Sequence, residues 1–232
     1  MSLALVALYF IRVAIYLSWL YLATEATNKA SSKFTHIQHK PERKALFIGD
    51  SLTHGTGASS PSKSIAGLYS QDSPECSVYN ESVNNITTKN LLEVIEEKMS
   101  RVGEVDTVIL SVGSNDAIKF RSMKNIHKRL EEILDKLEPY SRDIYVFTPT
   151  KPGRSPALIK YLVYARLNKF RHIVESAANS RSRVYHIDMW GSGDAILAEP
   201  SKYFVSDSIH LSDAGQEFWY EELKKNLQVQ IL

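Results

Sequence analysis

Residues 3–22 read LALVALYFIRVAIYLSWLYL, an apolar run with Arg12 as its only charge. As a helix this run spans roughly 30 Å, the thickness of a bilayer core. A charge at mid-membrane costs about 2.5–3.5 kcal/mol on insertion scales, which the surrounding Leu, Ile, Val and Phe side chains offset. Trp19 and Tyr21, near the far end, suit a headgroup interface. Residues 1–22 therefore read as a hydrophobic N-terminal segment. A membrane anchor is the favoured role, because the run is long and no basic stretch precedes it. Export after signal cleavage is the alternative, with Thr24-Glu25-Ala26 as a passable small-x-small site. A soluble or buried helix is the third reading. Lys29, Lys33, Lys40, Arg43 and Lys44 follow the segment. By the positive-inside rule they hold the rest of the chain on the cytoplasmic side, and they suit anionic lipid. A single segment leaves the side of the membrane open.

Residues 23–43 are polar, lack periodicity and contain Pro41, the signature of a linker. From 44 to 232 the pattern alternates. Short apolar runs at 45–48, 107–112, 143–147 and 183–187, with a weaker one at 77–79, read as strands. Between them lie segments of helical period. Leu91, Leu92, Ile95 and Met99 recur on one face of 87–99. Ile126, Leu130, Ile133, Leu134 and Leu137 form a stripe on 122–137. Residues 156–178 form a long helix with Pro156 in its first turn, and 212–227 a last helix with Ser212 as N-cap. Apolar strands separated by helices predict an α/β fold: a flavodoxin-like doubly wound parallel sheet covered on both faces. Ligands of such sheets bind outside the carboxyl ends of the strands.

Composition narrows the function. The 232 residues carry a formal net charge of +2, with no arginine-rich stripe, so no nucleic acid is expected as a partner. The single cysteine, Cys76, rules out an internal disulfide. No Cys-x-x-Cys or His-x-x-x-His spacing supports zinc.

Three polar clusters fall at predicted strand ends or helix starts: Gly49-Asp50-Ser51-Leu52, Gly113-Ser114-Asn115-Asp116 and Asp207-Ser208-Ile209-His210. Acyl transfer calls for these residue types. A serine hydroxyl needs a neighbouring base to take its proton, and histidine does that near neutral pH. A third group must hold the imidazole in the right tautomer. Asp207, three positions before His210, can reach the other ring nitrogen through a tight turn. The oxyanion then needs fixed donors, for which the Ser51 backbone N–H and the Asn115 amide are candidates. Asp50 and Asp116 read as loop-bracing acceptors, Asp188 as a turn residue, and His54 as a neighbour of the site. The loop 148–154, with Tyr161 and Tyr164 on the next helix, is expected to border the substrate pocket. Asn80-Glu81-Ser82 and Asn85-Ile86-Thr87 match the glycosylation sequon and are read as chance.

Together the three blocks resemble the SGNH/GDSL hydrolase family, and the resemblance extends from Lys44 to about Leu227. It implies the SGNH hydrolase fold, with Ser51 as nucleophile, His210 as base, Asp207 as its orienter and Asn115 as an oxyanion donor. The family's second block supplies a glycine whose N–H completes the oxyanion hole. Here the stretch 79–88 has no glycine. Asn85 best fits that position, with Asn84 one register away, and asparagine tolerates left-handed backbone. The implied function is a serine esterase that forms an acyl-enzyme without metal or organic cofactor. Its substrate is a small-molecule or lipid ester, such as a lysophospholipid. The alternatives are an O-acetyl esterase of a cell-surface glycan and a catalytically impaired, membrane-tethered binding module. A flavin or nucleotide binder would need a Gly-rich phosphate cradle that the first loop lacks.

Overall fold

The structure is a computed structural model that describes residues 3–39, 41–151 and 157–229. Five strands form its sheet: β1 (Arg43–Gly49), β2 (Cys76–Asn80), β3 (Val105–Ser111), β4 (Ser141–Phe147) and β5 (Val184–Ile187). All pair in parallel, in the order β2-β1-β3-β4-β5. This is the doubly wound sheet that the sequence predicts. Ten helices accompany it among the described residues: α1 (Leu3–Ala30), α2 (Ser51–His54), α3 (Ile65–Asp72), α4 (Thr88–Val102), α5 (Ser114–Ile118), α6 (Met123–Leu137), α7 (Ala157–Asn179), α8 (Met189–Ala198), α9 (Pro200–Tyr203) and α10 (Asp213–Val229).

The period of two along each strand divides the core. Leu46, Ile48, Val108, Leu110, Ile144 and Val146 face α4, α6 and α7. Ala45, Phe47, Ile109, Tyr145 and Phe147 face α3, α8 and α10. The inner strands β1, β3 and β4 are thus buried on both faces, which is why their sequences read as apolar runs. The predicted stripes on α4 and α6 are the buried ones. Ser212 stands where a cap is expected, its hydroxyl accepting from Gly215 N at 3.3 Å.

Besides the short helices α2, α5, α8 and α9, which the sequence reading did not place, three features differ from it. First, α1 continues to Ala30, into the stretch read as a linker. The Thr24 and Thr27 hydroxyls donate to the carbonyls of Leu20 and Ala23, both at 3.0 Å, so these polar residues satisfy themselves without leaving the helix. Second, the chain after α1 is fastened to the sheet. His36 exchanges two backbone hydrogen bonds with Val78 (2.9 and 2.7 Å), and Gln38 N donates to Ser77 Oγ at 2.8 Å. This covers the outer edge of β2, which would otherwise present unpaired backbone groups. Third, α3 escapes a periodicity search because it is only eight residues long; Ser64 caps it, accepting from Gly67 N at 3.2 Å. Lys40, the loop positions 152–154 and Pro156 lie outside the described residues.

Gly49 ends β1 at a crowded point. Its φ is +134°, and a Cβ there would stand 1.9 Å from the Ser111 carbonyl oxygen. Gly103 also has positive φ (+74°), but a Cβ there would meet nothing within 4 Å. Gly103→Ala therefore carries only the conformational cost, about 1–2 kcal/mol, while Gly49→Ala adds a backbone collision and is expected to cost about 3–5 kcal/mol. Urea unfolding of both variants checks this; equal losses would contradict the collision.

Candidate active site

The carboxyl ends of β1 and β3 and the segment before α10 carry the three polar clusters. Leaving β1, the chain turns directly into α2, with Asp50 as its cap. Asp50 Oδ1 accepts from Leu52 N (3.1 Å) and from Ser111 Oγ (2.9 Å). The turn puts Ser51 at the first position of a one-turn helix, beside the end of β3. Burial pushes the Asp50 carboxyl up to about 6, against the opposing pull of those hydrogen bonds and of nearby His210.

Asp207 and His210 form the tightest polar unit of the site. Asp207 Oδ1 accepts the backbone N–H groups of Ile209 and His210, both at 2.9 Å. Its Oδ2 meets His210 Nδ1 at 2.7 Å. One carboxylate thus closes the turn and orients the ring. Burial works to raise the Asp207 carboxyl, but the donors from His210 and Ile209 outweigh it and hold the group below the usual carboxylate range. A ring whose Nδ1 donates to a carboxylate presents Nε2 as its basic atom.

Ser51, Asn115 and His210 line one cavity of about 350 Å³. That volume lies within the range of small-molecule sites. Asn115 stands in the first turn of α5, where Nδ2 donates to the Ile86 carbonyl at 3.1 Å. An amide nitrogen carries two hydrogens, so this bond leaves one for the cavity. Gly113 before it has a φ of +108°, and a Cβ there would sit 2.3 Å from the Phe170 ring. The close approach of α7 therefore requires glycine at this turn.

Asn85 takes left-handed backbone, with φ +61°. Its side chain is exposed and borders a separate cavity of about 410 Å³ with Lys98 and Arg101. Asn84 is a brace: Oδ1 accepts from Thr56 Oγ1 at 2.6 Å, and Nδ2 donates to the Asn28 carbonyl (3.4 Å) and to Ser31 Oγ (3.3 Å). Asp116 Oδ2 accepts from Thr88 N at 2.8 Å, and Asp188 caps α8 through Trp190 N and Gly191 N. Both match their reading as structural acceptors. Asn80 is buried, with Nδ2 donating to the Thr53 carbonyl at 2.9 Å, a position closed to a glycan. His54 Nδ1 lies 3.2 Å from Thr56 Oγ1. Burial first, then the charges of Lys33 and His210, lower its pKa to about 4.

The rest of the cavity wall is largely apolar and only partly as expected. Thr148, Pro149 and Thr150 border it, as the sequence suggests. Tyr161 and Tyr164 do not line it. Tyr161 is exposed and Tyr164 packs edge-on against Trp190, with ring centroids 5.6 Å apart. The face of α7 toward the cavity carries Leu162, Val163 and Leu167 instead. Ile118, Phe120 and Ile209 extend the wall, and Tyr16, Leu17 and Leu20 of α1 complete it. No motif marks these residues. The apolar spacing of α7 holds the only signal, and it leaves the rotation of the helix undecided.

Among solved structures the fold is close to a lipase/acylhydrolase from Enterococcus faecalis (TM-score 0.66, 19% identity, covering 81% of this chain and 96% of that one). It is similar to TesA (TM-score 0.67, 15% identity, 80% and 98% covered) and to an acetyl xylan esterase from Geobacillus stearothermophilus (TM-score 0.59, 20% identity, 80% and 94% covered). At these identities the likeness is one of fold. No curated protein matches the sequence. Residues 47–218, from the middle of β1 into α10, match the GDSL-like lipase/acylhydrolase family. That stretch spans all three polar clusters and most of the chain, and the protein belongs to this family of ester hydrolases.

Proposed function

We propose that the protein is a serine esterase that cleaves acyl esters through an acyl-enzyme intermediate. The observation that carries this reading is the 2.7 Å contact between buried Asp207 and His210 in a cavity that Ser51 also lines. In this mechanism His210 Nε2 takes the proton of the Ser51 hydroxyl as Ser51 Oγ attacks the ester carbonyl. The proton then passes to the leaving alcohol. Water, deprotonated by the same nitrogen, attacks the acyl-enzyme and releases the acid. Asp207 keeps the ring in the required tautomer and stabilises the imidazolium. The oxyanion is met by the Ser51 N–H and the Asn115 amide, both of residues that line the cavity. The left-handed turn at Asn85 supports its N–H as the third donor, although its side chain borders the separate cavity.

The apolar wall favours a hydrocarbon acyl group over an acetylated sugar, which would ask for more polar partners. The fold likeness to an acetyl xylan esterase keeps short acetyl esters as the second reading. We read α1 as a membrane anchor. It is apolar enough to cross a bilayer, with a mean hydropathy of 1.7 over its most apolar 18 residues, and its end is tied to the catalytic domain.

Two outcomes test this function, and a third tests the electrostatics of the site. Wild-type protein should hydrolyse a short-chain chromogenic ester and react with a fluorophosphonate at Ser51. Ser51→Ala and His210→Ala should lose at least about 10³-fold in kcat. Equal rates in wild type and Ser51→Ala would reject the mechanism. Asn115→Ala should lower kcat by about 10²–10³-fold with a smaller change in KM, as expected of a donor that acts on the oxyanion.

The third outcome concerns pH. Asp50 titrates at about 6 when folded, against roughly 3.9 in an unfolded chain. The native state therefore holds the extra proton between these values. The stability gained from it is complete below about pH 4 and is lost as pH rises through about 6. Asp50→Asn keeps the oxygen that accepts from Leu52 and Ser111 but does not titrate. Relative to wild type it should gain roughly 2–3 kcal/mol between pH 4 and 7. Chemical denaturation across that range measures the difference; a constant offset would show that Asp50 does not titrate there.

A further inference from the structure

The apolar wall of the cavity is open on one side, and its exposed members gather there. Outside α1, only eight large hydrophobic side chains among the described residues are exposed. Four of these line the cavity: Ile118 (38%), Phe120 (55%), Leu162 (42%) and Ile209 (37%). Scattered exposed apolar residues need no explanation, but a contiguous group at the mouth of a catalytic cavity does. Phe120 is held there at a conformational cost, since its φ of +55° is one that aromatic residues rarely adopt. The Arg166 guanidinium lies 5.3 Å from the centroid of its ring, and Lys119, Arg121 and Lys160 stand exposed beside the rim. This is the pattern of a surface that sinks apolar side chains into a bilayer while cations meet anionic headgroups.

The remaining wall comes from α1. Tyr16, Leu17 and Leu20 share one face of that helix and border the cavity that holds Ser51 and His210. The opposite side exposes Ile11, Ile15 and Leu22, a face suited to lipid. The position of α1 is fixed through the bonds from Asn84 to Asn28 and Ser31 and through the backbone exchange between His36 and Val78.

We propose that α1 and this rim form a port open to the membrane, and that the substrate is a long-chain acyl ester resident in the bilayer. Its chain lies against Tyr16, Leu17 and Leu20 while its carbonyl reaches Ser51. The helix is then a specificity element as well as an anchor: its side chains limit how much acyl chain the cavity accepts. This inference rests on the esterase reading.

Full-length protein in detergent micelles, assayed on acetyl, octanoyl and dodecanoyl esters of one chromogenic alcohol, tests it. Leu17→Trp and Leu20→Trp put bulk into the wall. Each should lower the ratio of kcat/KM for the dodecanoyl over the acetyl ester by about tenfold or more. A second variant, Phe120→Asn, places at the rim a residue suited to the left-handed backbone. It should lower the rate on a long-chain ester embedded in phosphatidylcholine–phosphatidylglycerol vesicles, relative to a soluble acetyl ester, by about fivefold or more. If wild type is active and all three variants keep the wild-type ratios, the port is wrong and the esterase reading stands. If wild type neither turns over any ester nor reacts with a fluorophosphonate, the esterase reading fails and the port fails with it.

Discussion

A carboxylate shielded from water survives in a fold only when its oxygens are occupied. Asp207, fully buried, receives two backbone N–H groups and one imidazole. That one arrangement fixes the turn before α10, the tautomer of His210 and the direction of its free nitrogen. Its effect reaches further because the same segment is fastened to the chain after Ser51. Gln216 accepts from Ile65 N at 3.2 Å and donates to the Thr56 carbonyl at 3.3 Å, while Asp213 takes both the backbone N–H and the hydroxyl of Ser59. Gly57 permits the close contact, since a Cβ there would lie 2.4 Å from the Leu211 carbonyl oxygen. Residues far apart in sequence are thereby pinned at one rim of the sheet.

How legible this was in the sequence depends on the length scale of each signal. The inner strands carry theirs in nearly every residue, because burial on both faces demands apolar runs, and all five strands, with β2 the weakest, stand where the pattern puts them. The polar clusters were legible for a different reason: acyl transfer restricts the residue types, and a doubly wound sheet restricts where loops gather. The lining of the cavity was not legible. Whether Leu162 or Tyr161 faces Ser51 depends on a rotation of α7 by a single residue step, set by packing against α5 and α6. The extent of α1 was hidden by its composition. Thr24, Glu25, Thr27 and Asn28 look like linker, yet they lie in the helix, where the Thr24 and Thr27 hydroxyls find partners in the preceding turn. The left-handed backbone at Asn85 was foreseeable from the residue type, whereas that at Phe120 runs against its own.

The division of labour inside the cavity follows from these elements. The sheet edge and the segment before α10 deliver the reactive polar groups, because strand ends and helix starts are where backbone donors and short side chains converge. The helices deliver the apolar wall, because their outward faces have no other partner on that side of the molecule. A site divided in this way separates two tasks. Reactive groups are held rigidly by the buried network of Asp50, Ser111 and Asp207, while the wall can vary in shape without disturbing them. Family members can thus keep one chemistry and change the acyl or alcohol group they accept.

The N-terminal segment fits the same logic. Ser31 Oγ stands 3.5 Å from Thr56 Oγ1 and is bonded to Asn84, so the end of α1 rests on the loops that follow β1 and β2. Those loops carry Ser51 and Asn85. An anchor joined by a free tether would leave the cavity at any angle to the bilayer. On the reading of α1 as an anchor, a helix that is docked at its end and lends side chains to the wall sets that angle, because the direction of its apolar stretch sets the membrane plane relative to Ser51. On that reading the orientation of the catalytic cavity is a property of the fold, carried by a few polar contacts at one helix end.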